Sequence, residues 1–332
     1  MAFVVEGDDW DFQGKAQHEV LDALDKFFEK LDRAASDKVK VWFGEDFSSR
    51  PILEGSSIWD LCAEGFAISI PPEVSQELAA HLGRGLYYVD EPDWPAGFPE
   101  DGVISIDGGP ARENLDAAWA HHNVRTGKAV ACIGLWRNGV FTTATSMGMT
   151  NLHWLGDGPA GAAEFWQDAI DVEGNSLASF VRLAPKAYPR LYFFGGVLAQ
   201  ANQLAGGYYA NSAALKRHLK ILDEAAHWAF TAAPPALSRH EVAGPHGIHP
   251  TNQLIERRFT ALTLDVSPEN PNVYIDRRCR EARQITIAGK GFYCEWHCKL
   301  EPHRNRIHLH APAAESEGKV VIAFFAEHLP LP

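Results

Sequence analysis

Residues 16–34 place Val20, Leu21, Leu24, Phe27, Phe28 and Leu31 three or four positions apart, with Asp, Glu and Lys between them. This is the period of a helix that buries one face. Short apolar runs bounded by Gly, Pro and Asp follow at 39–43, 86–89, 103–106, 129–135 and 140–145, and they read as strands. Helical patterns lie between them near 72–82 and 111–121. The pattern turns helical again over 160–184 and 212–230. In the last of these Leu215, Leu219, Leu222, Ala226 and Ala229 share a face. Asn211 or Ser212 can cap its start, and Pro234 with Pro235 stops it.

The segment 232–252 is rich in Pro, Gly and His and has no hydrophobic period, so it reads as a long loop or linker. It divides the chain into an acidic, mixed helical and sheet domain over 1–245 and a C-terminal antiparallel sheet domain over 246–332. The fold class expected is α+β. With 332 residues, 46% of them hydrophobic and 22% charged, the chain has enough apolar surface for one large core or two ordinary ones. Disorder is excluded. No run of eighteen apolar residues occurs and the N-terminus meets acid after five residues, which argues against a membrane span or secretory signal and for a cytoplasmic protein. Five cysteines suit free thiols in a reducing compartment.

The net charge of −13 is unevenly spread. Residues 1–120 carry 25 acidic against 9 basic side chains, whereas 271–310 carry 4 against 8 and four histidines besides. Summed repulsion opposes wrapping the whole protein in nucleic acid or docking it on an anionic membrane. The basic C-terminal part can meet an anion, and the acidic N-terminal part can steer access to it or dock a protein partner. Phosphate-loop, dinucleotide, nucleophile-elbow, zincin and C-x-x-C motifs are all missing, which removes the sequence support for those chemistries.

Candidate chemistry concentrates near the C-terminus. Along 292–300 the even positions are Phe, Cys, Trp, Cys and Leu, and the odd ones are Tyr293, Glu295, His297 and Lys299. That is a strand with one apolar and one polar face. In 306–310, Ile307 and Leu309 alternate with Arg306, His308 and His310, and 301–305 is turn chemistry. Pairing polar with polar requires residue numbers that sum to an odd value. A sum of 607 sets Glu301 opposite Arg306, Lys299 opposite His308 and His297 opposite His310. A sum of 605 sets Lys299 against Arg306, a pair of like charges, so the first register is expected. Strands at 284–288 and 319–326 extend the hairpin into a four-stranded meander. One face then carries Glu295, His297, Lys299, Arg306, His308 and His310, with His328 near the end of the last strand.

Two chemistries fit this face. In the first, His297, His308 or His310 exchanges protons while Lys299, Arg306 and Arg304 hold a phosphate, which needs no cofactor. In the second, Glu295, His297, His308 and His310 converge on a divalent ion such as Zn, Fe or Mn, with Lys299 and Arg306 opposing it. Cys294 and Cys298 fall on the apolar face about 13 Å apart along a strand, too far for one zinc ion. Arg277, Arg278, Arg280 and Arg283 can widen the anion-attracting surface. The acidic turn 7–11 reads as solvated rather than metal-binding. His121, His122, His246 and His249 read as surface or locally bonded.

The succession in 293–300, 306–310 and 319–329 of a charged strand, a hairpin, R-I-H-x-H and an apolar strand ending in E-H-L-P resembles the sheet of RelE/ParE-type toxins, over about 45 residues. The same ending is similar to that of uncharacterised bacterial proteins. The resemblance implies action on ribosome-bound mRNA by basic and histidine side chains of the sheet, here Lys299, Arg306 and His328. This chain departs from the family in its length, its net acidity and the absence of a basic C-terminal close. The function expected is a metal-independent phosphodiester-acting enzyme of ribonuclease-like toxin or phage-defence type. The alternatives are a metal-dependent enzyme and a non-enzymatic binding or scaffold protein.

Overall fold

The structure, a computed structural model, describes residues 1–62, 66–91, 98, 101–245, 247–302 and 304–332. The chain is an α+β protein whose backbone divides into two compact units, Met1–Val172 and Glu173–Pro332. The expected boundary near 245 therefore moves to a turn within the segment read as one helix over 160–184. Gly174 and Asn175 there take left-handed φ values of 86° and 47°, which a continuing helix does not permit. Ser176 then caps a new helix by accepting from Ser179 N.

The first unit is built on the four fully buried residues of β1 (Ala2–Val5). The amphipathic pattern at 16–34 forms α1 (Gln17–Ser36), which buries Val20, Leu24, Phe27, Phe28 and Leu31 as its spacing requires. There follow β2 (Lys40–Phe43), α2 (Pro72–Leu82), β3 (Leu86–Tyr87), β4 (Val103–Ile106), β5 (Arg112–Glu113), α3 (Leu115–Arg125), β6 (Val130–Ile133), β7 (Gly139–Thr145), β8 (Gly148–Trp154), α4 (Gly158–Gly161) and α5 (Ala163–Val172). The strands form one sheet in the order β3-β2-β1-β6-β8-β7-β4-β5. From β3 to β8 neighbours run parallel, and the remaining pairs are antiparallel. Strands β1, β5 and β8 are absent from the sequence expectation; β1 is a short buried run without alternation and carries no period. His121 and His122 are buried rather than on the surface. His121 Nδ1 lies 2.8 Å from Thr143 Oγ1, and burial holds its pKa down at about 4.

The second unit opens with α6 (Leu177–Ala187), β9 (Leu191–Phe193) and the long α7 (Gly207–Thr231), whose Leu215, Leu219, Leu222, Ala226 and Ala229 are fully buried. Next come α8 (Asn252–Ala261), β10 (Asp265–Pro268), α9 (Pro271–Ile275), α10 (Arg277–Glu281), β11 (Gln284–Ile287), β12 (Lys290–Tyr293), β13 (Trp296–Glu301), β14 (Arg304–His310) and β15 (Val320–Ala326). The segment 232–252 is not a free linker at its start. Arg258, with no exposed surface, donates to the carbonyls of Ala229, Ala232, Ala233 and Ala236 and so satisfies the C-terminal end of α7.

The five-stranded sheet of this unit runs β10-β13-β14-β15-β9, with β9 parallel to β15 and the other pairs antiparallel. The expected four-stranded meander is corrected in two places. The stretch 292–300 is not one strand: Phe292 and Tyr293 end β12, and β13 begins at Trp296. Strand β11 pairs with β12 as a separate ribbon instead of joining the sheet. The apolar residues of 292–300 consequently pack in two places. Phe292 and Cys294 cluster with Ile285, Ile287, Val321 and Ala323, while Trp296 meets Phe230 of α7 edge to face.

Candidate functional site

Strands β13 and β14 pair with His297 opposite His308, Lys299 opposite Arg306 and Glu301 opposite Arg304. This is the 605 register, and the expected 607 register is overturned. The like charges that argued against it each find another partner. Lys299 Nζ lies 3.0 and 3.1 Å from the carboxylate of Asp265 on β10. Arg306 Nη1 lies 2.8 Å from His328 Nε2, and Arg304 binds Glu301 across the turn at 2.8 Å. Asn305, expected in the loop, is instead buried within β14. Its amide accepts from Ala205 N at 2.7 Å and donates to Asn211 Oδ1 at 2.9 Å, which pins the register. His303 and His246 lie outside the described residues.

The polar face does not open to solvent as a whole. His308 has no exposed surface and His297 only 7%. Strand β10 lies beside β13 with Ser267 opposite His297, and its continuation brings Glu269 over the same face, where Glu269 N donates to Glu295 O at 2.7 Å. Glu269 Oε1 stands 3.6 Å from His297 Nδ1 and 3.7 Å from His308 Nδ1, both beyond hydrogen-bond distance. The same oxygen accepts from Arg283 Nε at 2.8 Å. Arg283, expected on the surface, is fully buried and also donates to the carbonyls of Cys279 and Pro330. Arg277 is exposed and pairs with Glu281.

The electrostatics follow from this enclosure. Burial pushes the pKa of His297 down to about 4, and Glu269 offsets only part of that. His308 falls well below the usual imidazole range for the same reason, with His297, Arg283 and Arg306 adding to the effect. Both rings are neutral at pH 7. His328 is exposed; a guanidinium only donates, so its Nε2 accepts from Arg306, and its Nδ1 lies 2.9 Å from Leu329 O. Burial raises the Tyr293 phenol. Six buried polar atoms here have no hydrogen-bond partner among the described residues: Arg283 Nη2, Tyr293 Oη, Arg306 Nε, His297 Nδ1, and both nitrogens of His308. Each such atom costs about 1–3 kcal/mol of desolvation when nothing answers it.

The structure thus brings together His297, His308, Arg306 and His328. It leaves out Glu295, which is exposed between β12 and β13, and His310, whose ring lies on Phe292 with Nδ1 2.6 Å from Ala311 O. A bulge at His308/Leu309 shifts the β14–β15 register just before His310. The expected grouping of Glu295, His297, His308 and His310 around one ion is not formed. Among the described residues the one set of three potential ligand atoms within 4.8 Å of one another is Asp32, Glu77 and His81, in the other unit. Glu269 escapes the sequence reading, and Arg283 and Tyr293 enter it only as a surface arginine and a member of the polar face, since nothing in their local pattern ties them to residues up to 39 positions away. Cys294 and Cys298 are buried free thiols as their parity required, and burial pushes Cys294 up to about 12.

No helix among the described residues is long and apolar enough to cross a membrane. No family model, curated protein or solved structure matches the chain.

Proposed function

We propose that the second unit is a metal-independent phosphodiester-acting enzyme of ribonuclease-like, toxin or phage-defence type, working from the Arg306–His328 side of the sheet. The observation that carries this reading is the set of unanswered polar atoms around His297 and His308. Most of them are N–H or O–H donors, and two belong to guanidinium groups. A cluster of spare donors beside neutral imidazoles suits a ligand that brings acceptor oxygens and a negative charge, as a phosphodiester does.

In this reading Arg306 and Arg283 hold the phosphate, and Lys299 is a lesser contributor because Asp265 already occupies its charge. Neutral His297 accepts the proton of the attacking hydroxyl as its oxygen bonds to phosphorus. The bond from phosphorus to the leaving oxygen breaks, and that oxygen takes a proton from solvent water, to which His297 returns the one it accepted. His308, sealed beneath, positions His297. The resemblance of this sheet to RelE/ParE toxins supports RNA as the substrate, and the positive balance of 271–310 supports its approach.

The test is incubation of the full chain with ribosomes and mRNA, and with free RNA, followed by mapping of the 5′ and 3′ ends. Cleavage that survives a chelator and falls at least a hundredfold in Arg306→Ala and His297→Ala is expected. Absence of cleavage by the wild type, or cleavage unchanged in both variants, overturns the reading.

A further inference from the structure

The first unit contains a separate cleft of about 510 Å³, at the carboxyl ends of β1 and β2. Strand β1 is where the order of the parallel sheet reverses, with β2 and β3 on one side and β6 on the other. Loops leaving the two sides of such a point diverge and open a ligand-sized crevice.

Arg50 stands in the wall of this cleft with its side chain 12% exposed and three carboxylates around it. Its Nη1 lies 2.9 Å from Asp8 Oδ1 and 2.8 Å from Asp116 Oδ2, and Nε and Nη2 are each 2.9 Å from Asp46. Asp116 is fully buried and also accepts from Gly7 N and Tyr88 Oη, both at 2.9 Å. Burial pushes Asp116 up to about 6 and raises Asp8, and three carboxylates meet the single guanidinium of Arg50. Altogether five acidic side chains and two arginines line the cleft, Glu54 and Glu113 at its exposed rim. A second observation is independent of charge. Trp10 lines the same cleft at 3% exposure, and its indole Nε1 has no acceptor among the described residues.

We propose that this cleft binds a small organic cation, an amine or guanidinium that also carries a hydrogen-bond acceptor. Asp8 and Asp46 take the charge and Trp10 Nε1 meets the acceptor. A divalent metal fits less well, because no three carboxylate or imidazole atoms around the cleft come within 4.8 Å of one another among the described residues. Arg50 also occupies the space its three carboxylates would share. The inference is independent of the chemistry assigned to the second unit.

The experiment is calorimetric titration of the full chain with arginine amide and with agmatine, which has the same two cationic groups without the carbonyl. Single-site binding that weakens with salt and is tighter for arginine amide is expected. Asp8→Asn combined with Asp46→Asn weakens both ligands about tenfold or more. Trp10→Phe removes the difference between the two ligands, and His308→Leu changes neither. Should the aspartate variant lose its fold, Glu54→Lys with Glu113→Lys, both on exposed rim positions, gives the same fall in affinity. The proposal is overturned by the absence of binding up to about 10 mM ligand. It is also overturned by affinity unchanged in the charge variants, or by Mg²⁺ or inorganic phosphate occupying the cleft in preference to both cations.

Discussion

His297 and His308 face each other across the β13–β14 ladder with ring centroids 5.9 Å apart, and one oxygen of Glu269 lies between 3.6 and 3.7 Å from an Nδ1 of each. That oxygen is committed to Arg283, so both imidazoles are enclosed without a partner at Nδ1. Natural sequences retain such an arrangement against its cost where the groups have work to do.

Replacing His308 by leucine removes two bare buried nitrogens and keeps most of the volume. We expect urea unfolding to show a gain of about 1–2 kcal/mol, together with loss of RNA cleavage. A variant that is less stable than wild type would show that the imidazole has a structural partner.

Glu269→Gln leaves the fully buried Arg283 guanidinium without its counter-charge. Breaking one partner of such a pair costs about 3–5 kcal/mol. Adding Arg283→Met to the same chain should recover most of that loss, because the pair's own net contribution is small. A double-mutant cycle by denaturant unfolding measures the difference.

His297 and Asp116 respond to pH with opposite sign. Between about 4, the value of folded His297, and 6.5, its ordinary value, the unfolded chain binds a proton that the folded chain refuses. The contribution of His297 to stability therefore grows as pH rises through that window, and is lost on acidification, with a slope of at most about 1.4 kcal/mol per pH unit. Asp116 is the reverse case. Its folded value of about 6 exceeds the ordinary 3.8, so the folded state holds the extra proton and the contribution of Asp116 to stability falls as pH rises across that interval. Hydrogen exchange followed peptide by peptide between pH 4 and 7 resolves the two trends. His297→Gln should flatten the first and Asp116→Asn the second.

Arg258 meets four main-chain carbonyls around the end of α7 and, among the described residues, no carboxylate. Arg258→Met strands several of them at once and should cost about 3 kcal/mol or more, with amide protection lost first at the end of α7 and in 232–236. Arg258→Lys, a point charge that cannot span four acceptors, should recover less than half of that.

Sequence reading reached the amphipathic α1, the buried face of α7, most of the strands and the alternation in 296–300 and 306–310, because each is a periodic pattern among near neighbours. It reached His297, His308, Arg306 and His328 as a group, since a hairpin brings them together by local geometry. It missed the register because Lys299 and Arg306 find their partners on β10 and beyond β15, which makes their juxtaposition tolerable. Glu269, and the buried pairing of Arg283 with it, were invisible for the same reason. Their importance lies in the crossing of β10 beside β13 and not in any motif of their own.

The amino-acid order alone determined an α+β protein with a polar hairpin near its end and a strong charge gradient, since periodicity, turn chemistry and composition are properties of short stretches. Only the tertiary structure decided that the hairpin face is roofed over, that its histidines are neutral and unpartnered, and that the acidic turn after β1 lines a cleft at the reversal of a parallel sheet. Burial and charge compensation depend on which distant residues arrive at the same place, and nothing in the local sequence records that.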